Sequence, residues 1–472
     1  MREIITLQIG QCGNQIGSEF WRTIMSEHCS YTDSASTFLY DGNKQFPQAR
    51  GVLVDMEEGV LNQIFKSELS MIFDKKSTVS GVDGSGNNFS EGFSRHGQEQ
   101  KDNLLEAIRF QAERCDSLQG FLSFSSLGGG TGSGLGAFLM ELTRETYPGV
   151  SIISSAVIPS VEAADVITAP YNTVFSLSSL LNSADLVLPF DNDKIYQSYD
   201  QVKQGLGTGG LSNFQTIQIK KQKSILDELR DVLKQKKSNE LTKTEEQSQQ
   251  QQKQHSRPFP QINEAIATTL SSITASMRFG GEMNVDLNEI STNLVPFQEL
   301  NIACSALAPL PFQKSFRSIQ PAIRQLFTGI SQLTNSTSGP SLSSAIFARG
   351  NVDSGTVSSC LEGVTIRHPE WGVRGFKMGI TDGGNGNENV VSLRNSSSIL
   401  GNIKGIQEMY SKMRNRKMYL HHYLKWMELD EIDRRNARVL EVVNGYEGIE
   451  GRMVVDQEKI KGYGKWNSPV IF

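Results

Sequence analysis

The stretch FLSFSSLGGGTGSGLG, residues 121–136, decides the predicted fold of this chain. Its apolar beginning is typical of a buried strand, and the residues after it have the apolar period of a helix. The glycine-rich part, Gly128–Gly134, therefore lies between a strand and a helix. Glycines expose backbone N–H groups that can surround an anion, Thr131 and Ser133 add hydroxyl donors, and the helix N-terminus adds its dipole. This pattern predicts a site for a di- or triphosphate. A flexible linker is disfavoured, because linkers do not join two well-formed apolar elements.

The usual nucleotide fingerprints do not describe this loop, because Gly128–Gly134 lacks the lysine of a P-loop and the G-x-G-x-x-G spacing. A second stretch, GLGTGG at Gly205–Gly210, does have that spacing. It follows no predicted strand and leads into polar sequence, so we interpret it as a loop. A self-sufficient enzyme that holds a dinucleotide there is a separate hypothesis. Bound NAD in the purified protein would favour it, whereas bound GTP or GDP would favour the hypotheses given below.

The first half of the chain has the pattern of a parallel sheet covered by helices, because short apolar runs alternate with helical periods. In addition to residues 121–124, four strands are predicted, at Ile4–Ile9, Val52–Val54, Ile152–Ile158 and Leu186–Leu188. Each ends at a polar or glycine-bearing turn. In a parallel sheet such turns meet at the carboxyl edge, where ligands bind.

Three further turns supply polar groups. Gly10–Asn14, after the first strand, has side chains suited to phosphate and base contacts, and Gly84–Asn88 offers exposed backbone donors. Asp55 and Glu57 follow the second strand. They are predicted to hold a hydrated Mg²⁺, which keeps several waters and takes few carboxylates. Taken singly, each acid is more often a helix cap or a solvated charge.

An abrupt change in composition divides the rest of the chain. Residues 221–257 are rich in Lys, Gln, Ser and Glu and have too few apolar side chains to offset their ordering entropy, which predicts a mobile insertion. A solvated helix from Ser224 to Lys236 is an equally supported alternative for the first half. The residues that follow have the spacing of one buried helical stripe. They are Ile262, Ile266, Leu270, Ile273 and Met277.

Strand-like stretches come next, near Cys304–Leu307, Ser344–Phe347 and Val390–Leu393, and the end of the chain is mostly helical from Ser398 to Val443. The predicted units are an N-terminal nucleotide-binding domain at 1–220, the insertion at 221–257, a central helix at 258–280, an intermediate domain at 281–396 and a C-terminal helical region at 397–472.

Composition excludes several classes of protein. The 472 residues are 38% hydrophobic, enough for several cores, and the net charge of -5 gives no basic footprint for nucleic acid. No apolar run approaches the roughly 18 residues of a membrane helix, and the N-terminus has no signal-peptide pattern. The five cysteines lie far apart without a C-x-x-C pair, so neither a zinc site nor a disulfide framework is predicted. We expect a soluble, intracellular protein with no nucleic-acid or membrane partner.

These motifs together resemble the tubulin family. Gly128–Gly134 resembles the tubulin signature loop, and GQCGNQIG at Gly10–Gly17 is similar to the opening of most non-alpha tubulins. RFGGEMNVDLNEISTNLVPF, from Arg278, resembles the segment that contacts the next subunit. The similarity covers nearly the whole chain apart from the insertion and the extreme C-terminus. It implies an α/β, tubulin-like fold: a Rossmann-like GTP-binding domain, a mixed α+β intermediate domain and a C-terminal helical hairpin.

Within the family, several motifs are most similar to the epsilon-tubulin branch, and an insertion before the central helix also fits it. They are LVDMEEGV at Leu53–Val60, the GSGNN turn, DVITAPYN at Asp165–Asn172, LPFDN at Leu188–Asn192, ARGNV at Ala348–Val352 and YLHHYL at Tyr419–Leu424. The opening REIITLQ suggests gamma-tubulin as the nearest competitor.

The resemblance implies that a guanine nucleotide, GTP or GDP with Mg²⁺, contacts a specific set of residues. They are Gln11, Cys12, Asp55, Glu57, Gly86, Asn87, Ser126, Gly128, Gly129, Gly130, Thr131, Gly132, Asp165, Asn192, Phe259 and Asn263. The residue types agree, because the Asn263 amide can read a guanine edge and the Phe259 ring can stack on the base. Alpha- and beta-tubulins have Tyr at the position of Phe259, and a Glu that contacts ribose at that of Ala169. Sugar recognition is therefore expected to differ here.

The resemblance also implies a hydrolytic site shared by two subunits. Asn284, Asp286 and Glu289 would face the nucleotide of a neighbour, and alpha-tubulin has Glu at the position of Glu289. A carboxylate there can orient the attacking water, so we expect a slow GTPase that a neighbouring subunit completes. An acid in the first turn of a helix is also favoured by the dipole, and the two interpretations are compatible.

The implied function is that of a GTP-binding cytoskeletal protein at centrioles or basal bodies, in the assembly or stability of doublet and triplet microtubules. Its expected partners are alpha/beta and delta-like tubulins and centriolar or basal-body proteins. Its expected location is the cytoplasm and cytoskeleton, at the centrosome, centriole or basal body. The alternative is a gamma-tubulin-like nucleator, bound to accessory complex proteins at a general organising centre.

Overall fold

The computed structural model describes residues 2–28, 33–42, 45–160, 166–205, 224–238, 259–313, 316, 318–335, 339–361, 368, 375–382 and 388–457. The strands, numbered in chain order, are β1 Glu3–Ile9, β2 Leu39–Tyr40, β3 Gln48–Ala49, β4 Gly51–Asp55, β5 Thr78–Ser80, β6 Leu118–Ser126, β7 Ser151–Ile158, β8 Leu186–Asp191, β9 Cys304–Ala308, β10 Ser341–Arg349, β11 Phe376–Thr381 and β12 Asn389–Ser396.

The α-helices are α1 Gly10–Glu27, α2 Glu58–Lys66, α3 Gly97–Ala112, α4 Gly136–Thr146, α5 Ala169–Ser183, α6 Asn192–Lys203, α7 Ile225–Ser238, α8 Phe259–Ile273, α9 Ala275–Arg278, α10 Leu287–Leu294, α11 Ile319–Leu326, α12 Ser354–Leu361, α13 Leu400–Asn415, α14 Leu420–Tyr423 and α15 Leu429–Gln457. Two π-helical turns, Glu91–His96 and Thr131–Leu135, lead directly into α3 and α4.

A six-stranded parallel sheet forms the first half of the molecule, in the order β5-β4-β1-β6-β7-β8. All residues of β1 and β7 are buried, as both faces of a parallel sheet require when helices cover them. The five predicted strands are confirmed. The sequence missed β5, an edge strand too short to show a period.

The second sheet has the order β11-β10-β12-β9 and is mixed. Strand β10 pairs parallel with β11 and antiparallel with β12, which pairs antiparallel with β9. Three of these four strands are predicted by their apolar runs. Parallel and mixed sheets with helices around them confirm the α/β class.

The predicted central helix lies between the two sheets, where α8 packs against α1 on one side and against β9, β10 and β12 on the other. Four residues of its predicted stripe are buried in the core, namely Ile262, Ile266, Leu270 and Ile273, whereas Met277 is partly buried and lies in α9. The helix is interrupted at Thr274, whose backbone leaves the helical region and whose hydroxyl donates to the Leu270 carbonyl oxygen at 2.9 Å. The chain then continues as α9.

A buried ionic cluster joins α1, α9 and β10. The Glu27 carboxylate lies 2.6 Å from Arg278 Nη1 and 2.6 Å from Arg349 Nη1, and all three side chains are almost fully buried. Burial alone would raise the pKa of Glu27, but the two guanidinium groups hold it at about 2. The Phe279 ring lies 4.9 Å from the Arg278 guanidinium and 5.0 Å from that of Arg349. This cluster connects α1, which packs on the parallel sheet, with the second sheet.

The first part of the predicted insertion is an ordered helix with a buried face. In α7, Ile225, Leu226 and Leu229 are buried, and the Ile225 N–H donates to the His28 carbonyl oxygen at 3.0 Å. Ser224 caps the helix, since its hydroxyl accepts from the Asp227 N–H at 3.2 Å. Residues 225–238 are therefore helical, and the mobility predicted for the insertion stays a prediction. The alternative prediction, a solvated helix from Ser224 to Lys236, agrees with α7 except that three apolar residues of α7 pack against the core. Residues 206–223 and 239–258 lie outside the described residues.

The described part of the C-terminal region, up to residue 457, is mostly helical, as predicted for Ser398–Val443. Helices α13 and α15 both pack on α5, and the Tyr446 hydroxyl of α15 donates to Asn395 Oδ1 at 2.9 Å. No helix in the described part of the chain combines the length and the apolarity needed to span a bilayer.

Candidate functional site

Polar and glycine-rich loops meet at the carboxyl edge of the parallel sheet. Parallel pairing brings the ends of β1, β4, β6, β7 and β8 to this edge. The Asn14 side chain joins two of the loops, because its Nδ2 donates to the carbonyl oxygens of Gly10 and Val54, at 3.0 Å each. The turn after β1 is thereby fixed against the end of β4.

Glycines let the first loop and the signature loop touch through their backbones. Gly10 has φ 71°, and a Cβ built there would lie 2.9 Å from the Gly132 nitrogen. A Cβ at Gly13 would lie 2.1 Å from the Phe124 carbonyl oxygen. Neither position admits a side chain without a backbone shift. Gly129 differs, because a Cβ there would meet nothing within 4 Å. The space beside Gly129 is therefore open.

The signature loop closes as a wide π-helical turn. The Gly136 N–H donates to the carbonyl oxygen of Thr131, five residues earlier, and the Ser133 hydroxyl donates to that of Gly129. π-Helical turns inside helices are frequent at functional sites. Ser133 is fully buried and hydrogen-bonded within the loop, and its role as a donor to a ligand stays a prediction. Thr131 is partly exposed, and its hydroxyl lies 3.2 Å from Ser85 Oγ.

The Gly84–Asn88 turn lies beside the signature loop. Gly86 and Asn87 have φ 52° and 53°, the left-handed conformation, and both are exposed. Asn172 on α5 joins the two loops, since its Nδ2 donates to the Asn87 and Gly128 carbonyl oxygens at 2.9 Å each. Sequence reasoning missed this residue. One signal in the sequence could have indicated it: Asn172 carries a carboxamide, whereas almost all other residues of α5 are apolar or carry a hydroxyl.

Asp55 is the buried carboxylate of the site. It ends β4, and its Oδ1 accepts from the Glu57 N–H at 3.3 Å. Burial raises its pKa to about 6, because the described residues give it no cationic partner. Glu57 is exposed and lies over Gly84, where a Cβ would be 2.2 Å from Glu57 Oε1. A buried carboxylate that lacks a positive partner fits a divalent cation. No cluster of three or more His, Cys, Asp or Glu ligands occurs in the described part of the chain, and a hydrated Mg²⁺ needs none.

The other predicted nucleotide contacts surround these loops. Gln11 is exposed at the start of α1, whereas burial raises the pKa of the neighbouring Cys12 thiol to about 12 and keeps it neutral. Ser126 ends β6 and accepts from the Gly128 N–H at 3.4 Å. Asn192 begins α6, which Asp191 caps by accepting from the Asp193 N–H at 2.9 Å. Asp165 lies outside the described residues.

Two predicted base contacts lie on α8. Phe259 is 42% exposed, which leaves a ring face available for stacking, and Asn263 follows on the same side of the helix one turn later. α8 runs along α1, whose first residues form the loop after β1. Within the described residues, no hydrogen bond joins Phe259 or Asn263 to the phosphate-facing loops, which are Gly10–Asn14, Gly84–Asn88 and Gly128–Gly134.

An apolar cavity adjoins Ala169, the position at which sugar recognition is expected to differ. Its volume is about 270 Å³, and it is lined by residues that include Pro159, Thr173 and Met413. Pro159 also packs under the signature loop, since a Cβ at Gly128 would lie 2.7 Å from it. The small Ala169 side chain therefore borders open space near the phosphate-facing loops.

The predicted subunit-contact segment lies at the opposite edge of the sheet. Asp286 caps α10 by accepting from the Glu289 N–H at 2.8 Å, and it pairs with Arg2, just before β1, at 2.8 Å. The Glu289 side chain is 45% exposed and lies 2.8 Å from Lys377 Nζ. Asn284 is exposed. β1 separates this edge from the phosphate-facing loops by roughly 20 Å, so Glu289 lies far from the site of its own chain.

The comparisons with known proteins agree with this architecture. Residues 3–200 match the Tubulin/FtsZ family, GTPase domain. The chain is 32% identical over 461 residues to the tubulin epsilon chains of Mus musculus and Homo sapiens, with 91% of this chain and 92% of each relative covered. It is 30% identical over 490 residues to the tubulin beta-1 chain of Homo sapiens, with 97% and 96% covered. The chain therefore belongs to the tubulin family, and it is a GTP-binding cytoskeletal protein built on that family's GTPase domain.

Proposed function

We propose that the chain binds GTP or GDP with Mg²⁺ at the carboxyl edge of the parallel sheet, and that it acts at centrioles or basal bodies in the assembly or stability of doublet and triplet microtubules. The observation that carries the nucleotide site is the backbone contact between the loops at Gly10 and Gly132, beside the open space at Gly129. Similarity to two tubulin epsilon chains supports the cellular role.

In this site, Gly128–Gly132 and the Gly86–Asn87 turn surround the phosphates with backbone N–H groups. Ser126, Thr131 and Gln11 add side-chain donors. Asn263 reads the base edge, Phe259 stacks on the base, and Asn192 and Asp165 contribute from the remaining loops. Cys12 is neutral and lines the site without charge.

Asp55 and Glu57 would hold Mg²⁺, Asp55 from its buried position at the end of β4 and Glu57 from the exposed side, in part through water. When bound, the metal neutralises phosphate charge. Ionised Asp55 lacks a cationic partner within the described residues, and this supports a cation at its carboxylate.

Hydrolysis would be slow in the isolated chain and completed by a neighbouring subunit. Glu289 is exposed and lies at the sheet edge opposite to the phosphate-facing loops, so it would serve the nucleotide of the next subunit. Asn284 and Asp286 belong to the same contact segment. The proposed partners are other tubulins, alpha/beta and delta-like, together with centriolar or basal-body proteins.

The nucleotide site is tested with two matched glycine substitutions. Gly129 and Gly149 both have open space where a side chain would lie, so Val at either position leaves the fold intact. Gly129→Val fills the space beside the signature loop and should abolish the co-purified guanine nucleotide. Gly149→Val, in a turn at the other edge of the sheet, should retain it. Equal retention by both variants would contradict the site.

The cellular role is tested by locating the tagged full-length chain in ciliated cells by super-resolution microscopy. Signal on centrioles or basal bodies supports the proposal. Signal at a general organising centre, without enrichment on centriole walls, would favour the gamma-tubulin-like nucleator that the opening REIITLQ suggests.

A further inference from the structure

The Asn172 carboxamide is fully hydrogen-bonded at the junction of two phosphate-facing loops, Gly84–Asn88 and Gly128–Gly134. Its nitrogen donates to the Asn87 and Gly128 carbonyl oxygens, at 2.9 Å each. Its oxygen accepts from the Phe89 N–H at 3.0 Å and from the Tyr423 hydroxyl at 2.6 Å. Every polar position of the amide is therefore occupied, and the loops can separate only if one of these bonds breaks.

Tyr423 belongs to α14, 251 residues later in the chain than Asn172. Its ring is buried against Tyr171 and Phe175, with ring centroids 5.0 and 5.6 Å away. The same turn makes a second contact with the nucleotide domain, because Asn88 Nδ2 donates to the His422 carbonyl oxygen at 3.1 Å. The C-terminal region thus contacts the Gly84–Asn88 turn directly and both loops through Asn172.

The Tyr423 hydroxyl also fixes the orientation of the amide. Burial raises the pKa of Tyr423, so the hydroxyl stays protonated and can donate. A donor must face the amide oxygen, which leaves the NH₂ group facing the two loop carbonyls. The other acceptor near this hydroxyl, the Thr168 carbonyl oxygen, is more distant at 3.4 Å.

We propose that Asn172 and Tyr423 are positioning residues for the nucleotide, and that α14 thereby sets how long a nucleotide stays bound. This rests on the proposed nucleotide site. Tyr423 holds Asn172, Asn172 holds the Asn87 and Gly128 carbonyls at a fixed separation, and the backbone N–H groups of the same loops face the phosphates. Coupling is reciprocal, so a bound nucleotide stabilises α14, and any ligand that displaces α14 speeds nucleotide release.

The test compares Tyr423→Phe with Tyr171→Phe. Both remove one hydroxyl from the same aromatic cluster, but the buried Tyr171 hydroxyl has no hydrogen-bond partner among the described residues. Dissociation of a fluorescent GDP analogue should be about five- to tenfold faster in Tyr423→Phe, as expected for one lost buried hydrogen bond, and unchanged in Tyr171→Phe. The association rate of the analogue should be similar in wild type, Tyr423→Phe and Tyr171→Phe. Equal dissociation rates in both variants would overturn the proposal.

Hydrogen exchange on nucleotide-free protein separates this proposal from the nucleotide site itself. The Phe89 N–H donates to Asn172, so its exchange should be faster in Tyr423→Phe than in wild type and unchanged in Tyr171→Phe. Unchanged Phe89 exchange in Tyr423→Phe would overturn the positioning role even if the chain binds GTP. A wild-type chain that binds no guanine nucleotide, yet shows faster Phe89 exchange in Tyr423→Phe, would contradict the proposed function and leave the amide linkage established.

Discussion

Because of Asp55, nucleotide binding and the stability of the nucleotide-free protein should depend on pH in opposite directions. Burial raises its pKa to about 6, whereas a carboxyl of this type in an unfolded chain titrates near pH 4. Between these values the folded state binds more protons than the unfolded state. The free energy of unfolding should therefore fall as pH rises from about 4 to about 6, by up to about 3 kcal/mol from this group. Magnesium-dependent nucleotide binding should instead weaken as pH falls through 6, since it needs the ionised carboxylate.

Asp55→Asn tests both effects. The variant should unfold at a higher denaturant concentration than wild type at pH 7 without nucleotide, and it should lose the magnesium dependence of GTP affinity. Glu58→Gln, an exposed acid in the next turn, serves as the control. If the free energy of unfolding of Asp55→Asn changed with pH as it does in wild type, burial of the Asp55 carboxylate would not be the cause of that pH dependence.

Single residues also show where sequence reasoning about the site succeeds and where it fails. The loops at Gly10 and Gly128 were predictable because each directly follows an apolar strand. The buried orientation of Ser133 was not, because it depends on a hydrogen bond within the folded turn. Asn172 was not predictable either, since its two acceptors lie 85 and 44 residues away in the chain.

At the scale of secondary-structure elements, the ionic cluster of Glu27, Arg278 and Arg349 holds α1, α9 and β10 together. Removing the charge of Glu27 would leave two buried guanidinium groups without their counter-ion. We expect Glu27→Gln to lower the free energy of unfolding by about 3–5 kcal/mol, measured by urea denaturation. In wild type this contribution is fully present above pH 4.5 and is lost as pH falls towards 2, because the pKa of Glu27 is lowered from 4.5 to about 2.

Glu19→Gln is the matched control on the same helix. Glu19 forms an ion pair with Arg22 at 2.7 Å, but both side chains are about a third exposed, so its loss should cost less than about 1 kcal/mol. Equal destabilisation by the two substitutions would show that the buried cluster contributes no more than a surface pair.

The period of apolar residues predicted most elements, and the failures have physical causes. β4, β6 and β7 are buried on both faces over most of their length, and the short apolar runs within them made them predictable. β11 was missed because it is an edge strand with Lys377 and Gly379 in its middle, and Gly379 gives room to the Phe347 ring of β10. α7 was underestimated because its composition is polar overall, although its three buried residues lie on one face.

At the scale of the whole molecule, the sheet separates the phosphate-facing loops from Glu289. We expect Glu289→Ala to bind GTP like wild type but to hydrolyse it at least about tenfold more slowly under conditions that favour assembly. Dilute wild-type protein should hydrolyse GTP slowly, and the rate per chain should rise with concentration or with added partner tubulins. The measurement is phosphate release as a function of protein concentration.

Glu299→Ala, an exposed acid beyond the end of α10, is the control and should behave as wild type. A turnover number that is independent of concentration and unchanged in Glu289→Ala would contradict action on a neighbour. The ion pair between Glu289 and Lys377 should not prevent Glu289 from acting on a neighbour, because both side chains are partly exposed and the pair can separate at small cost.

The separation of these two edges also determines the geometry of any assembly in which one chain serves the next. A contact between the loop edge of one copy and the α10 edge of another joins two different surfaces, so it is head-to-tail and does not close on itself as a two-fold dimer does. A row built in this way has a direction. One of its ends exposes a nucleotide that lacks the Glu289 of a neighbour, and the other exposes a Glu289 that has no nucleotide to act on. Growth and loss of subunits are therefore chemically different at the two ends.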